Sequence, residues 1–129
     1  MTTKILVVED DPGMQTLLKT FLEFEGYGVI LQEQYDDPKG LIEKIRLETP
    51  EIVLMDVFLG KTDGFDLLAA IRRDPKIKNV SVIMTSGMDF NVRSKTAGAD
   101  AFLQKPYMPD ELFQSINSVV AGQSGRQRG

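Results

Sequence analysis

Carboxylates, a hydroxyl and an ammonium group recur at one kind of place in this 129-residue sequence, directly after a short run of branched apolar residues. Ile5-Leu6-Val7-Val8 leads into Glu9-Asp10-Asp11, and Ile52-Val53-Leu54-Met55 leads into Asp56. Val80-Ser81-Val82-Ile83-Met84 is followed by Thr85-Ser86-Gly87, and the segment from Ala101 to Gln104 by Lys105-Pro106. If those runs lie side by side, their ends converge, and the carboxylates share one crevice with Ser86 and Lys105. Grouped carboxylates repel one another unless a cation neutralises them. Mg²⁺ suits such a place, because it takes one or two carboxylates, keeps several waters and shares phosphate oxygens. An aspartate held there can attack phosphorus and give an aspartyl phosphate. A lysine, a hydroxyl and free backbone N–H groups would stabilise the planar phosphoryl group in transit.

Composition narrows the chemistry further. There is no cysteine, which removes disulfides and thiolate metal sites, and no histidine, the commonest transition-metal ligand and general base. Any metal must therefore be a hard cation held by oxygen, for which Mg²⁺, or Mn²⁺ in its place, is the expected choice. Apolar residues make up 42% and charged ones 26%, ordinary values for a globular domain. A net charge of −4 argues against a dedicated nucleic-acid surface, which needs clustered Lys and Arg. No apolar run approaches the roughly 20 residues that span a bilayer. The start runs straight into a strand-like segment rather than a signal-peptide core, so a cytoplasmic protein is expected.

The elements that must position these groups alternate. The runs at 5–8, 52–55 and 80–84 have the near-unbroken apolar character of strands buried on both faces, with weaker candidates at 27–31 and 101–104. Met14, Leu17, Leu18 and Phe21 follow helical spacing behind an Asp11-Pro12 start, with Gly26 as the stop. Further stripes are Leu41, Ile42, Ile45; Leu67, Leu68, Ile71; and Leu112, Phe113, Ile116, Val119, Val120, while 90–97 predicts a short, poorly patterned helix. Strand and helix alternating five times predict an α/β fold, a doubly wound five-stranded parallel sheet with helices on both faces. Its crevice should lie at the carboxyl ends of the strands. One domain is expected over residues 1–121. Residues 122–129, Gly-rich and carrying Arg126 and Arg128, read as a tail or linker.

Taken with Asp63-Gly64 and Ala97-Gly98-Ala99-Asp100, these motifs resemble bacterial response-regulator receiver domains over roughly residues 4 to 121, chemotaxis-regulator-like. The resemblance implies a flavodoxin-like sheet of order 2-1-3-4-5 and a phosphoacceptor switch with no turnover of a free metabolite. Asp56 would take the phosphoryl group and Asp10 would ligate Mg²⁺ directly. Glu9 would act through metal-bound water, and Phe58 would ligate through its carbonyl. Ser86, Gly87 and Lys105 would bind phosphoryl oxygens, Ser86 and Phe102 would form the switch, and Lys105-Pro106 would be cis. The implied partners are a sensor histidine kinase or phosphotransfer protein, an output protein or domain, and a second copy through the last two helices and strand five. Three departures stand out: Gly60 where the family usually has proline, which should loosen the loop after Asp56; Ser86 for threonine; and a shortened segment from Gly87 to Gly98. Phe58 and Met88 occupy the two positions that flank the approach of hydrolytic water, and both are large and apolar.

Each residue also has a plainer reading. Asp56 could simply end a strand, Glu9-Asp10-Asp11 could favour a helix N-terminus, a role that suits Asp11, and Ser86 or Lys105 alone would be a turn hydroxyl and a solvated lysine. The Met and Phe stripes read as core, and Tyr27, Tyr35 and Tyr107 suggest no function. A haloacid-dehalogenase-type phosphatase would need a second aspartate where Phe58 stands. A flavodoxin-like binding module would need a phosphate loop after strand one. A degenerate receiver acting by contact alone would have no use for Asp10, Asp56, Ser86 and Lys105 together.

Overall fold

The computed structural model describes residues 2–32 and 37–126, the last three of these as backbone only. Five parallel strands form the central sheet: β1 (Lys4–Val8), β2 (Gly28–Gln32), β3 (Ile52–Asp56), β6 (Ser81–Ser86) and β7 (Ala101–Gln104). Their order is β2-β1-β3-β6-β7. Between β3 and β6 lies a two-stranded antiparallel ribbon, β4 (Phe58–Leu59) and β5 (Thr62–Asp63), with Phe58 opposite Asp63 and Leu59 opposite Thr62. Without the ribbon the sheet order is 2-1-3-4-5, as the family resemblance implies. The helices are α1 (Pro12–Phe24), α2 (Pro38–Glu48), α3 (Gly64–Arg73), α4 (Asn91–Thr96) and α5 (Pro109–Arg126).

Alternation along the strands builds two cores. Leu6, Val8, Val53, Met55, Val82 and Met84 face Leu41 and Ile45 of α2 and Leu67, Leu68 and Ile71 of α3. Ile5, Val7, Ile52, Leu54 and Ile83 point the other way, onto Leu18 and Leu22 of α1 and Leu112, Ile116 and Val119 of α5. Every residue of β3 and β6 is buried, which explains their lack of polar interruption. Aspartates start three of the helices. Asp11 accepts from the N–H groups of Gly13 and Met14, Asp37 from Lys39, and Asp63 from Phe65. α4 has no side-chain cap and runs only from Asn91 to Thr96, in keeping with the shortened segment around it.

Two expectations are corrected. The loop after Asp56 is a paired ribbon rather than a loosened segment. Gly60 takes φ 60° at its turn, the left-handed value that a two-residue hairpin requires and that glycine adopts without strain. α5 continues to Arg126, past the boundary expected at residue 121. Gln123 anchors this extension, its Nε2 donating to Glu51 O at 2.7 Å and to the buried Ser81 Oγ at 2.9 Å. Tyr35 and Arg128 lie outside the described residues.

Candidate functional site

The register of the sheet brings the predicted groups together. β1 pairs with β3 from Ile5–Ile52 to Val8–Met55, so Glu9 and Asp10 leave β1 level with Asp56 at the end of β3. β3 pairs with β6 up to Asp56–Thr85, placing Ser86 one step further along the adjacent strand. β6 pairs with β7 up to Ser86–Gln104, and Lys105 follows, its N–H donating to Ser86 O at 2.7 Å. The Lys105-Pro106 peptide is cis.

Glu9, Asp10 and Asp56 each present a carboxylate oxygen within 4.8 Å of the others. Lys105 Nζ bridges two of them, 2.9 Å from Glu9 Oε1 and 2.8 Å from Asp56 Oδ2. Glu9 is only 3% exposed and Asp56 8%, whereas Asp10 is half-buried. Asp10 has a different partner, the N–H of Gly60, which donates to Oδ2 at 2.9 Å. Burial pushes the Glu9 carboxyl above its ordinary pKa, against the opposing hydrogen bond from Lys105. Burial works against the Lys105 charge as well, but hydrogen bonds to Asp56 and Glu9 outweigh it and hold the ammonium above the usual lysine value. One cation shared by crowded carboxylates thus gains more than the buried Glu9 does.

The donor set fits a small hard cation. It is all oxygen, and its three carboxylate atoms lie close enough together to share one ion, all within 4.8 Å of one another. Among the described residues Asp10 Oδ1 and Asp56 Oδ1 accept no hydrogen bond. The ribbon leaves a further oxygen. Gly64 N–H donates to Val57 O at 2.7 Å, continuing the ladder beyond the Phe58–Asp63 pair. Bonded and non-bonded pairs alternate in such ladders, so the Phe58 carbonyl faces away from β5.

Ser86 is fully buried, and its Oγ accepts from Met88 N–H at 3.2 Å, leaving the hydroxyl proton free to donate elsewhere. Gly87 is exposed, with open space where a Cβ would sit. Phe102 is half-buried and packs with the α2–α3 core. Phe58 and Met88 are 53% and 57% exposed.

Several contacts beside the site escaped the sequence reading. Phe90 stands edge-on to Phe58 (ring centroids 5.9 Å apart) and to Phe65 (5.6 Å), and the Arg93 guanidinium lies 4.2 Å from the Phe65 ring centre. Irregular spacing gave no signal for this stack. Gly64 is required by space, since a Cβ there would come within 2.3 Å of the Asp56 carbonyl oxygen. The Tyr107 hydroxyl is buried without a partner, and burial pushes its pKa up to about 12. A hollow of about 550 Å³ lies at the amino ends of the strands, lined by residues such as Ile45, Thr49 and Gln123, and includes none of Glu9, Asp10 and Asp56.

A doubly wound parallel sheet with an acid–lysine cluster at its carboxyl edge is the design of a phosphoacceptor signalling module. The chain belongs to the family described as response regulator receiver domain, whose sequence model matches residues 5–117. It is 32% identical over 122 residues to Protein PilH of Pseudomonas aeruginosa, covering 92% of this chain and 98% of that one. It is 29% identical over 120 residues to the DNA-binding dual master transcriptional regulator RpaA of Synechocystis, covering 91% of this chain but 48% of the relative. The chain spans about half the length of several such transcriptional regulators. Among solved structures, a CheY-like receiver domain protein of Methanospirillum hungatei superposes with a TM-score of 0.82 at 31% identity, covering 98% of this chain and 99% of that one. The receiver domain of a Pseudomonas aeruginosa sensor histidine kinase, solved with a magnesium ion coordinated in its active-site cleft, gives 0.79 at 25% identity, with 94% and 99% covered. The protein is a receiver domain of phosphorelay signalling. No described helix is long and apolar enough to cross a membrane.

Proposed function

We propose that this receiver accepts a phosphoryl group on Asp56 in a divalent-cation-dependent reaction and so switches a partner-binding face. The single observation that carries the reading is the bridge from Lys105 Nζ to Asp56 Oδ2 and Glu9 Oε1, with Asp10 alongside. Glu9, Asp10, Asp56 and the Phe58 carbonyl would hold Mg²⁺ or Mn²⁺, which supplies charge neutralisation for the transferring phosphoryl oxygens.

The chain's own groups do the rest. An Asp56 carboxylate oxygen attacks phosphorus as the donor bond breaks, and the donor leaves with the bonding electron pair. Lys105 keeps its proton throughout, its charge moving from the carboxylates to a phosphoryl oxygen. The Ser86 hydroxyl and the Gly87 N–H complete the binding of the phosphoryl oxygens. Drawing Ser86 inward would open space for Phe102 to turn, altering the face of α4, β7 and α5, by population shift between two packings. That face suits an output protein or a second copy of the chain, and the donor would be a cytoplasmic histidine kinase or phosphotransfer protein. Phe58 and Met88, with no group that could orient water, would make loss of the phosphoryl group slow.

Incubation with acetyl phosphate and Mg²⁺, followed by intact-mass measurement, tests the reading. A single phosphoryl addition that vanishes in Asp56→Asn and with EDTA is expected. An addition that ignores either change contradicts it.

A further inference from the structure

We propose that Gly60 is a positioning residue for the metal, its backbone N–H fixing the Asp10 carboxylate so that Oδ1 is presented to the cation. The inference rests on the reading of Glu9, Asp10 and Asp56 as the metal site. Asp10 lies in the connection between β1 and α1, pairs with no lysine among the described residues, and is the least buried of the three carboxylates. Its one hydrogen bond among the described residues comes from Gly60, fifty positions along the chain.

That donor is aimed by the ribbon. Leu59 is fully buried and pins one strand to the core, and its pairing with Thr62 closes a two-residue turn over Gly60 and Lys61. Such a turn needs positive φ at its first central residue, and Gly60 supplies 60°. Glycine here therefore meets two demands at once, the left-handed backbone and a free N–H. A proline could meet neither, since it lacks the N–H and its ring holds φ near −65°. A hydrogen bond on one oxygen fixes a ligating carboxylate in rotation, and losing such a partner typically lowers metal affinity by about 10–100-fold.

The test is an Mg²⁺ titration of the full chain followed by ¹H–¹⁵N NMR, in the parent, Gly60→Asn and Gly60→Pro. Urea unfolding of the metal-free proteins measures any general loss of fold. Asparagine keeps the N–H, and any strain it adds at this positive-φ position is read by the urea unfolding, so its dissociation constant should stay within about twofold of the parent. Gly60→Pro should bind at least about tenfold more weakly while still folded. Equal affinity in a folded Gly60→Pro, or equal weakening in both variants, overturns the role of Gly60 and leaves the metal site standing. Failure of the parent to bind Mg²⁺ overturns the site itself. Should Gly60→Pro not fold, the parent decides alone. Its Gly60 amide should resist hydrogen exchange with and without Mg²⁺ and shift with the same dissociation constant as the site. Exchange at the rate of an open loop would overturn the proposal.

Discussion

Glu9, Asp56 and Ser86 stand at the ends of sheet strands and are buried, with Lys105 half-buried beside them, whereas Phe58 and Met88, on the loops that follow those strands, are more than half exposed. The inner group is polar, and its members are fixed by strand register and by hydrogen bonds, those of Lys105 to Glu9 and Asp56 joining the charges. The outer pair is apolar, and Phe58 takes its place from a stack on Phe90. Under the proposed function, the floor would set what reaction occurs, and the rim would set how long its product survives. Changing one should leave the other's property intact.

The largest expected effect is on the floor. Lys105→Met removes the ammonium between Glu9 and Asp56, which then face Asp10 without a counter-charge. Breaking a buried pair costs about 3–5 kcal/mol. The Lys105 side chain keeps 25% exposure, and a loss of about 2–3 kcal/mol in metal-free protein is expected after that screening. Urea unfolding should show part of the loss restored by Mg²⁺ at a hundredfold excess over its dissociation constant, a mass-action gain of about 2.7 kcal/mol. A metal-free stability equal to the parent's would mean that Lys105 does not balance the floor.

On the rim, Phe58→Asn and Met88→Glu should speed phosphate release from the phosphorylated protein by about tenfold, or 1.4 kcal/mol of barrier. Their rate of phosphorylation by a small donor should change little. A parent that releases phosphate as fast as both variants breaks the division between floor and rim.

The smallest effect concerns Tyr107, under the floor. Its phenol is held at about 12 by burial, above the ordinary value near 10. The folded state therefore keeps this proton where the unfolded chain has lost it, and stability falls as pH rises from about 10 to about 12. Tyr107→Phe removes both that liability and an unpartnered buried hydroxyl. It should be more stable by about 1 kcal/mol at neutral pH, with the gap widening above pH 10. A constant gap across that range would show that the phenol titrates as if exposed.

The floor was legible because parallel strands buried on both faces leave a near-unbroken apolar signature, and whatever follows them must meet at one edge. Glu9, Asp10, Asp56, Ser86 and Lys105 were found in this way. The rim was not. The β4–β5 ribbon rests on two-residue strands, too short for any periodic signal, and Gly60 suggested looseness because its hydrogen bond to Asp10 spans fifty positions. The Phe58–Phe90–Phe65 stack likewise joins three separate segments. The boundary expected at residue 121 falls inside α5 because Gln123 and its neighbours have the composition of a linker, and the contacts of Gln123 with Glu51 and Ser81 are tertiary.

The most direct test of the central claim is to find which carboxylate carries the phosphoryl group. Borohydride reduces an acyl phosphate to an alcohol, turning a phosphorylated aspartate into homoserine, which peptide mass spectrometry can place on the chain. After reaction with acetyl phosphate and Mg²⁺, homoserine should appear at position 56 alone, and not at all when Mg²⁺ is withheld. Reduction at Asp10 or Asp63, or at Asp56 regardless of metal, would contradict the account.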